Sequence, residues 1–365
     1  MKKPHSLSVA LRTVTAILIL CSSDALFGQG KSKSPYLPTV FGLLKSRFEA
    51  DTQQGKVRFN IPNARVGVKG SISPYFKYQF QVDLNTDGKF SVLDTYGTFV
   101  AGDFEVSLGQ QLNRFDTELN RGPTNNYFAS SSFIASYVGS YYQLGDGVVS
   151  SGNFGARDIG VIAKYTNHTC VPINIQAGIL NGAGINNPVW SKTVNFVARA
   201  WIDPGTVLGG FGLSGNYYTG HTPFGEPFTM AGGELRYVKG AWRIEGEYAG
   251  RWLTLSPTAC DRMDLAAVHA IFTQPVKGWG PIQFIAPMVR WDYANNLALV
   301  FGGSTVEHFN ANRATGGVTI GFAPRLLKCE LRLNYEHYFL ANASEQVLAD
   351  PRFHNKVMVE LFLTF

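Results

Sequence analysis

Beyond about residue 28 the sequence has no apolar run of the roughly eighteen residues that a membrane-crossing helix needs, which excludes a helical membrane protein. No Pro- or Ser-rich linker divides the chain, so a single domain is expected. Cysteine is scarce: of four, Cys21 lies in the leading segment, leaving Cys170, Cys260 and Cys329. An odd number leaves at least one free thiol, there is no C-x-x-C pair, and no His/Cys cluster has metal-ligand spacing, so neither a metal nor a cofactor is expected. Charged residues make up only 16% of the chain, and removal of the leading segment takes the formal net charge from +6 to +4, far from the balance of a nucleic-acid-binding protein. Catalytic signatures are missing too. There is no G-x-S-x-G elbow, H-E-x-x-H helix or Walker loop, and the glycines of Asn181–Gly184 have no crossover helix after them.

What is present is alternation. In the stretch from Lys356 to Phe365, Val357, Val359, Leu361, Leu363 and Phe365 are apolar, while the interleaved positions include Lys356, Glu360 and Thr364. This period of two is that of a strand with one oily and one wet face. It fits the closing strand of a bacterial outer-membrane barrel, with its oily face on outer-membrane lipid and Phe365 engaging the barrel-assembly machinery. The mean hydropathy near zero agrees, because a barrel hides its hydrophobicity on alternate residues.

In chain order, Met1 to Gly28 reads as a secretory signal, with Lys2, Lys3 and Arg12 ahead of the apolar Val14–Leu20, and residues 29–42 as a lead-in to a barrel over 43–365. Sixteen alternating segments follow: 44–50, 64–70, 76–84, 91–100, 104–114, 157–166, 173–181, 192–202, 209–219, 229–238, 241–251, 262–273, 280–293, 312–322, 328–340 and 354–365. Phe76 to Leu84 is the clearest, with Phe76, Tyr78, Phe80, Val82 and Leu84 on one side and Lys77, Gln79, Gln81 and Asp83 on the other. Short links, such as Ser73-Pro74, Lys239-Gly240 and Pro324-Arg325, alternate with longer ones at 182–191, 220–228, 252–261, 294–311 and 341–353. The fold class is therefore all-β: a transmembrane antiparallel β-barrel of about sixteen strands. Cys170 and Cys329 fall at periplasmic turns well apart and Cys260 in an outer loop, so all three are expected to be unpaired.

One outer connection, Phe115 to Ala156, is far longer than the rest and rich in aromatics, as in Tyr127-Phe128 and Tyr141-Tyr142. A structureless loop of that length is uncommon unless functional, and its aromatics need shelter, so it is expected to fold into the barrel mouth. Within it Asp116, Glu118, Arg121, Tyr141, Tyr142 and Asp146 are the candidate constriction residues. Its acidic balance opposes the wall, whose wet phase carries Lys45, Arg47, Arg65, Lys69, Lys77, Arg199, Arg236, Arg243, Arg290 and Arg332 in slight excess over acids such as Glu49, Asp83 and Glu360.

Several segments resemble the phosphate-selective porin O and P family: Phe59-Asn60-Ile61-Pro62-Asn63-Ala64-Arg65-Val66-Gly67-Val68-Lys69-Gly70, the Gly109-Gln110 step, Arg157-Asp158-Ile159-Gly160-Val161, Asn181-Gly182-Ala183-Gly184 and Pro287-Met288-Val289-Arg290-Trp291-Asp292. The resemblance spans the chain after the leader in the same order. It implies a sixteen-stranded, usually homotrimeric channel with an inward-folded third loop. Family members selective for phosphate line the constriction with Arg and Lys, whereas here the loop offers only Arg121 among Phe115–Ala156, and Tyr141, Tyr142 and Gln143 stand where basic residues are expected. The reading is a passive outer-membrane channel for small hydrophilic or anionic solutes, with weak anion preference. A receptor or adhesin barrel is the alternative, and a barrel enzyme built on a pair such as Glu245 and Glu247 the weaker one.

Overall fold

The computed structural model describes residues 36–365 except 85–87, 89, 146–147, 169–170, 206, 302, 304 and 323–327. The expected leader, Asp146, Cys170 and the Pro324-Arg325 turn lie outside the described residues.

The first strands are β1 (Thr39–Asp51), β2 (Val57–Ser73), β3 (Phe76–Leu84), β4 (Phe90–Ala101) and β5 (Phe104–Leu112). The long connection follows, carrying α1 (Thr117–Arg121), α2 (Phe133–Tyr137) and a hairpin of β6 (Ser140–Leu144) and β7 (Val149–Asn153). The sheet resumes with β8 (Arg157–Thr166), β9 (Ile173–Leu180), β10 (Asn195–Ile202), β11 (Phe211–His221), β12 (Pro227–Lys239), β13 (Trp242–Ser256) and β14 (Ala259–Phe272). It ends with the two-residue β15 (Gln274–Pro275), β16 (Ile282–Phe301), β17 (Thr305–Phe322), β18 (Lys328–Ala341), α3 (Glu345–Leu348) and β19 (Lys356–Thr364). Each barrel strand pairs antiparallel with its neighbour and β1 pairs with both β2 and β19, closing a sixteen-stranded barrel with no free edge.

Alternation decides which residue faces where. On β3, Phe76, Phe80 and Leu84 are exposed on the outside, whereas Gln81 and Asp83 are buried in the lumen. Along β11, Phe211, Leu213 and Tyr217 alternate with buried Ser214, Asn216 and Tyr218. An oily outside and a polar inside invert the rule for soluble proteins, which is the signature of an outer-membrane barrel. Phe365 bonds to the backbone of Gly42, with Gly42 N donating to Phe365 O at 3.1 Å.

The structure revises three sequence boundaries. β1 begins at Thr39, inside the stretch read as a lead-in, because that backbone is needed to pair with β2 from Lys69 onward. The connections expected at 252–261 and 294–311 are largely strand, whereas the one expected at 220–228 keeps a non-strand link over 222–226: β13 and β14 stay paired to Ser256↔Ala259, and β16 and β17 to Phe301↔Thr305. Asn295-Asn296, read as loop, is a bulge where the register shifts between Ala294 and Leu297, with Asn296 at φ 55°. Cys260 consequently sits on β14 rather than in a loop; it and Cys329 are free thiols.

The wall is uneven. β9 and β10 have 8 residues each, whereas β16 and β17 have 20 and 18. Over the tall side the inward positions become apolar, with Met230, Leu253, Met263, Leu265 and Phe309 fully buried, because the long connection lies against them.

Candidate functional site

The long connection leaves the wall at Asn113, whose N–H donates to Ala156 O and whose Nδ2 donates to Gly155 O, both at 2.8 Å. Asp116 caps α1, accepting from Glu118 N at 2.9 Å, and Gly122 at φ 64° ends it. Ser132 caps α2, accepting from Ala135 N at 3.2 Å. Glu118 joins the two turns by accepting Ser132 N at 3.0 Å.

On one side of the lumen α1 docks on β10, β12 and β13. Thr117 accepts from Arg199 Nη2 at 2.8 Å and donates its hydroxyl to Glu234 at 2.7 Å, while its N–H donates to Glu247 at 3.1 Å. Arg121 reaches Glu245 at 2.5 Å, and Arg243 reaches the same carboxylate at 2.8 Å. Tyr127 lies near both guanidiniums, with ring distances of 4.7 and 4.9 Å.

On the other side the run Phe128–Phe133 docks on β1 and β16–β18. Arg290 donates to Ser130 O and Ser130 Oγ at 2.9 Å each and sits 4.6 Å from the centre of the Phe128 ring. Arg313 donates to Ser131 O, lies over Phe133 at 4.8 Å, and is clamped by Asp292 and Glu336 at 2.8 and 3.2 Å. Phe133 N donates to Asp292 at 3.2 Å. Arg47 donates to Ala129 O, and Ser130 donates its hydroxyl to Glu336. These charges are almost completely buried, and each is paired and hydrogen-bonded, as burial of a charge requires. Tyr127 and Phe128 meet His269 of β14 between the two sets of anchors, so the segment follows the inner face of the wall from β10 through β14 to β1, about half of the ring.

Farther along, the β6–β7 hairpin docks through Arg251 to Ser140 O and through Val149 N to Gly303 O at 2.9 Å. Tyr141 and Tyr142 are buried there, Tyr141 against Phe154 and Phe224 and Tyr142 beside His308. This departs from the expectation of a place at the constriction. Their rings serve the apolar packing of the outer end instead, and burial raises the pKa of both phenols.

The acidic loop residues also differ from expectation. Asp116 is fully buried against Glu247, Glu118 and Arg199, and its pKa is pushed up to about 6, burial being the main cause. Glu118 is spent on Ser132. Both carboxyls therefore hold the loop together, and that of Asp116 is out of contact with water.

The wall residues divide by role. Arg47, Arg199 and Arg290 hold the loop. Lys45 and Arg332 meet at Glu360, 3.8 and 3.2 Å away, around the inward-facing Phe362, whose ring centre is 4.0 Å from Arg332. Arg65 pairs with Asp83 at 2.8 Å. Lys77 pairs in the open with Glu105 at 2.7 Å, and Lys69 lies over Phe41 at 5.3 Å. Arg236 and Arg243 face a chamber of about 460 Å³ beside α1, together with Arg121, Lys328 and Arg332; Glu330 is its one acidic lining residue, and Phe284, Ile271 and Met288 form its apolar part.

Arg114 is missing from the sequence candidates because it falls at the end of the strand expected over 104–114, just before the long connection. Its backbone lies at φ 67°, a conformation invisible in a sequence, and it points a further guanidinium at the lumen.

No protein-family model and no curated protein matches the chain. Solved structures do. The chain is similar to OmpT of Vibrio cholerae in its trimer form (12% identity, TM-score 0.58, 91% of this chain and 100% of that one covered). It is similar to an anion-selective porin from Comamonas acidovorans (12%, TM-score 0.58, 90% and 98% covered) and to OprB of Pseudomonas putida (11%, TM-score 0.56, 91% and 94%). At these identities the likeness establishes the fold, that of bacterial outer-membrane porins.

Proposed function

We propose that the protein is a passive outer-membrane channel for small hydrophilic solutes, with weak anion preference and with phosphate and other oxyanions among its candidate solutes. The observation that carries this reading is a lumen narrowed by its own loop beside a chamber of five basic residues and one acidic one. A cation cluster in a low-dielectric passage attracts anions and repels cations. The sequence resemblance to phosphate-selective porins and the structural likeness to the anion-selective porin from Comamonas acidovorans both favour an anionic solute. The carboxylates behind the guanidiniums, Glu245, Glu234 and Glu360, keep the net field small, hence a weak preference.

We further propose a homotrimer, supported by the trimer form of the Vibrio cholerae structure and by the low wall at β9 and β10. Strands of that length only just span a bilayer, and a neighbouring protomer would cover their oily faces.

The reversal potential of single channels in a KCl gradient tests the reading, which predicts chloride passing faster than potassium. Absence of conductance, together with no swelling of liposomes in small sugars, would favour a receptor barrel instead.

A further inference from the structure

Adjoining the basic chamber across Arg121 and Arg236 lies a smaller cavity of about 240 Å³, space for about eight water molecules. Four guanidiniums line it, those of Arg114, Arg121, Arg199 and Arg236, against one carboxylate, Asp203.

Several features mark it as built for a ligand. Gln176 and Arg199 line it at 5% and 7% exposure, yet Gln176 Nε2 and Arg199 Nε have no hydrogen-bond partner. Buried donors left unmet are costly, and an oxygen seated in the cavity is the group placed to meet them. Arg114 has no ion-pair partner among the described residues. Its left-handed backbone, at φ 67°, is one that a non-glycine residue seldom adopts. It is held there between Asn113 and Phe115, both fully buried. The fold thus accepts backbone strain at the residue whose guanidinium is unclaimed.

The remaining groups narrow the ligand class. Asn120 Nδ2 donates to Asp116 O, while Asn120 Oδ1 is buried without a partner. An acceptor set among cations calls for a ligand that carries its own hydroxyl, which chloride and sulfate lack. Trp201 supplies a flat apolar wall.

We infer that this cavity binds a small hydroxylated carboxylate. The carboxylate lies on the N–H groups of Arg114, Arg199 and Gln176, the hydroxyl donates to Asn120, and the carbon body rests on Trp201. The inference rests on the anion-preferring channel proposed above.

The test is single-channel recording of the full chain in planar bilayers in KCl, with lactate, propionate or inorganic phosphate added. Lactate should block chloride current at a concentration about tenfold below that of propionate, which differs only in lacking the hydroxyl. Arg114→Gly, which relieves the backbone and so should fold at least as well, should raise the half-blocking lactate concentration about tenfold. Asn120→Ala should abolish the difference between lactate and propionate. Equal block by the two acids in the unaltered protein, or lactate block unchanged in Arg114→Gly, overturns the site. Stronger block by phosphate than by lactate overturns the ligand class. The channel reading fails separately, by a reversal potential in plain KCl that shows no anion preference.

Discussion

Phe365 and Gly42 exchange both backbone hydrogen bonds, at 3.1 and 3.3 Å, and the Phe365 ring lies where a Cβ on Gly42 would stand. The bare Cα lets the ring cover the last rung of the β1–β19 seam, where the sheet closes. Gly42→Val should therefore displace the ring and weaken closure. Removing Phe365 should do the same by deleting the final pair of bonds. The measurement is the yield of heat-resistant barrel in cells. A yield equal to that of the unaltered protein for both variants would show that the seam does not depend on this contact.

The docked segment should be released by breaking its best-anchored end. Arg313→Met leaves Glu336 short of a partner and frees Ser131 O and the Phe133 ring, at a cost of about 3 kcal/mol or more for a broken buried pair. Conductance should rise and the urea midpoint in lipid vesicles should fall. Replacing residues 117–153 by a short Gly/Ser link should raise conductance further, with the strand ladder intact. Unchanged conductance in both would place the narrowest point elsewhere in the wall.

Selectivity should depend on the chamber and not on the loop's acids. Asp116→Asn with Glu118→Gln should leave the chloride-to-potassium permeability ratio nearly unchanged, since the Asp116 carboxyl is fully buried and that of Glu118 is bonded to Ser132 N. Arg236→Gln with Arg243→Gln should lower it, most visibly at low salt, where screening is weak. Reversal potentials at two salt concentrations separate the two outcomes.

Loop docking should weaken as pH rises. Burial in the docked loop gives the Asp116 carboxyl a pKa of about 6, above its ordinary 3.8, so the docked state binds the proton more tightly. Its contribution is complete below about pH 4 and is lost between about pH 4 and 6. Open-channel current noise from loop motion should grow across that window. Asp116→Asn keeps the helix cap without the charge and should flatten the pH dependence. Noise that still rises equally in this variant would assign the titration to another group.

The barrel was legible in the sequence because lipid and water impose a period of two on every strand, and β3 and β8 begin and end where the alternation does. Legibility failed where that contrast disappears. At the outer ends of β13–β17 protein covers the inner face, so Leu253, Met263 and Phe309 point inward while Arg262 and Asp264 carry charge on the other face, and paired hairpins resembled loops. The docking of the long connection was hidden for another reason. Ser130 meets Glu336, and Thr117 meets Glu247, across separations of 206 and 130 residues that no local pattern encodes. Net charge also misled: Asp116 is acidic in composition but fully buried. The basic phase of the wall was readable, yet which guanidiniums are occupied by the loop and which face water depends on those distant contacts.

A ring of sixteen strands around an empty lumen has little to resist being squeezed into an oval by uneven lateral pressure from the bilayer. The segment bonded to β10, β12 and β13 at one end and to β1 and β16–β18 at the other works as a strap on the inner face of that arc. Its ion pairs and hydrogen bonds fix the spacing of the strands they join, so that half of the ring should bend less than the half that carries no such lining.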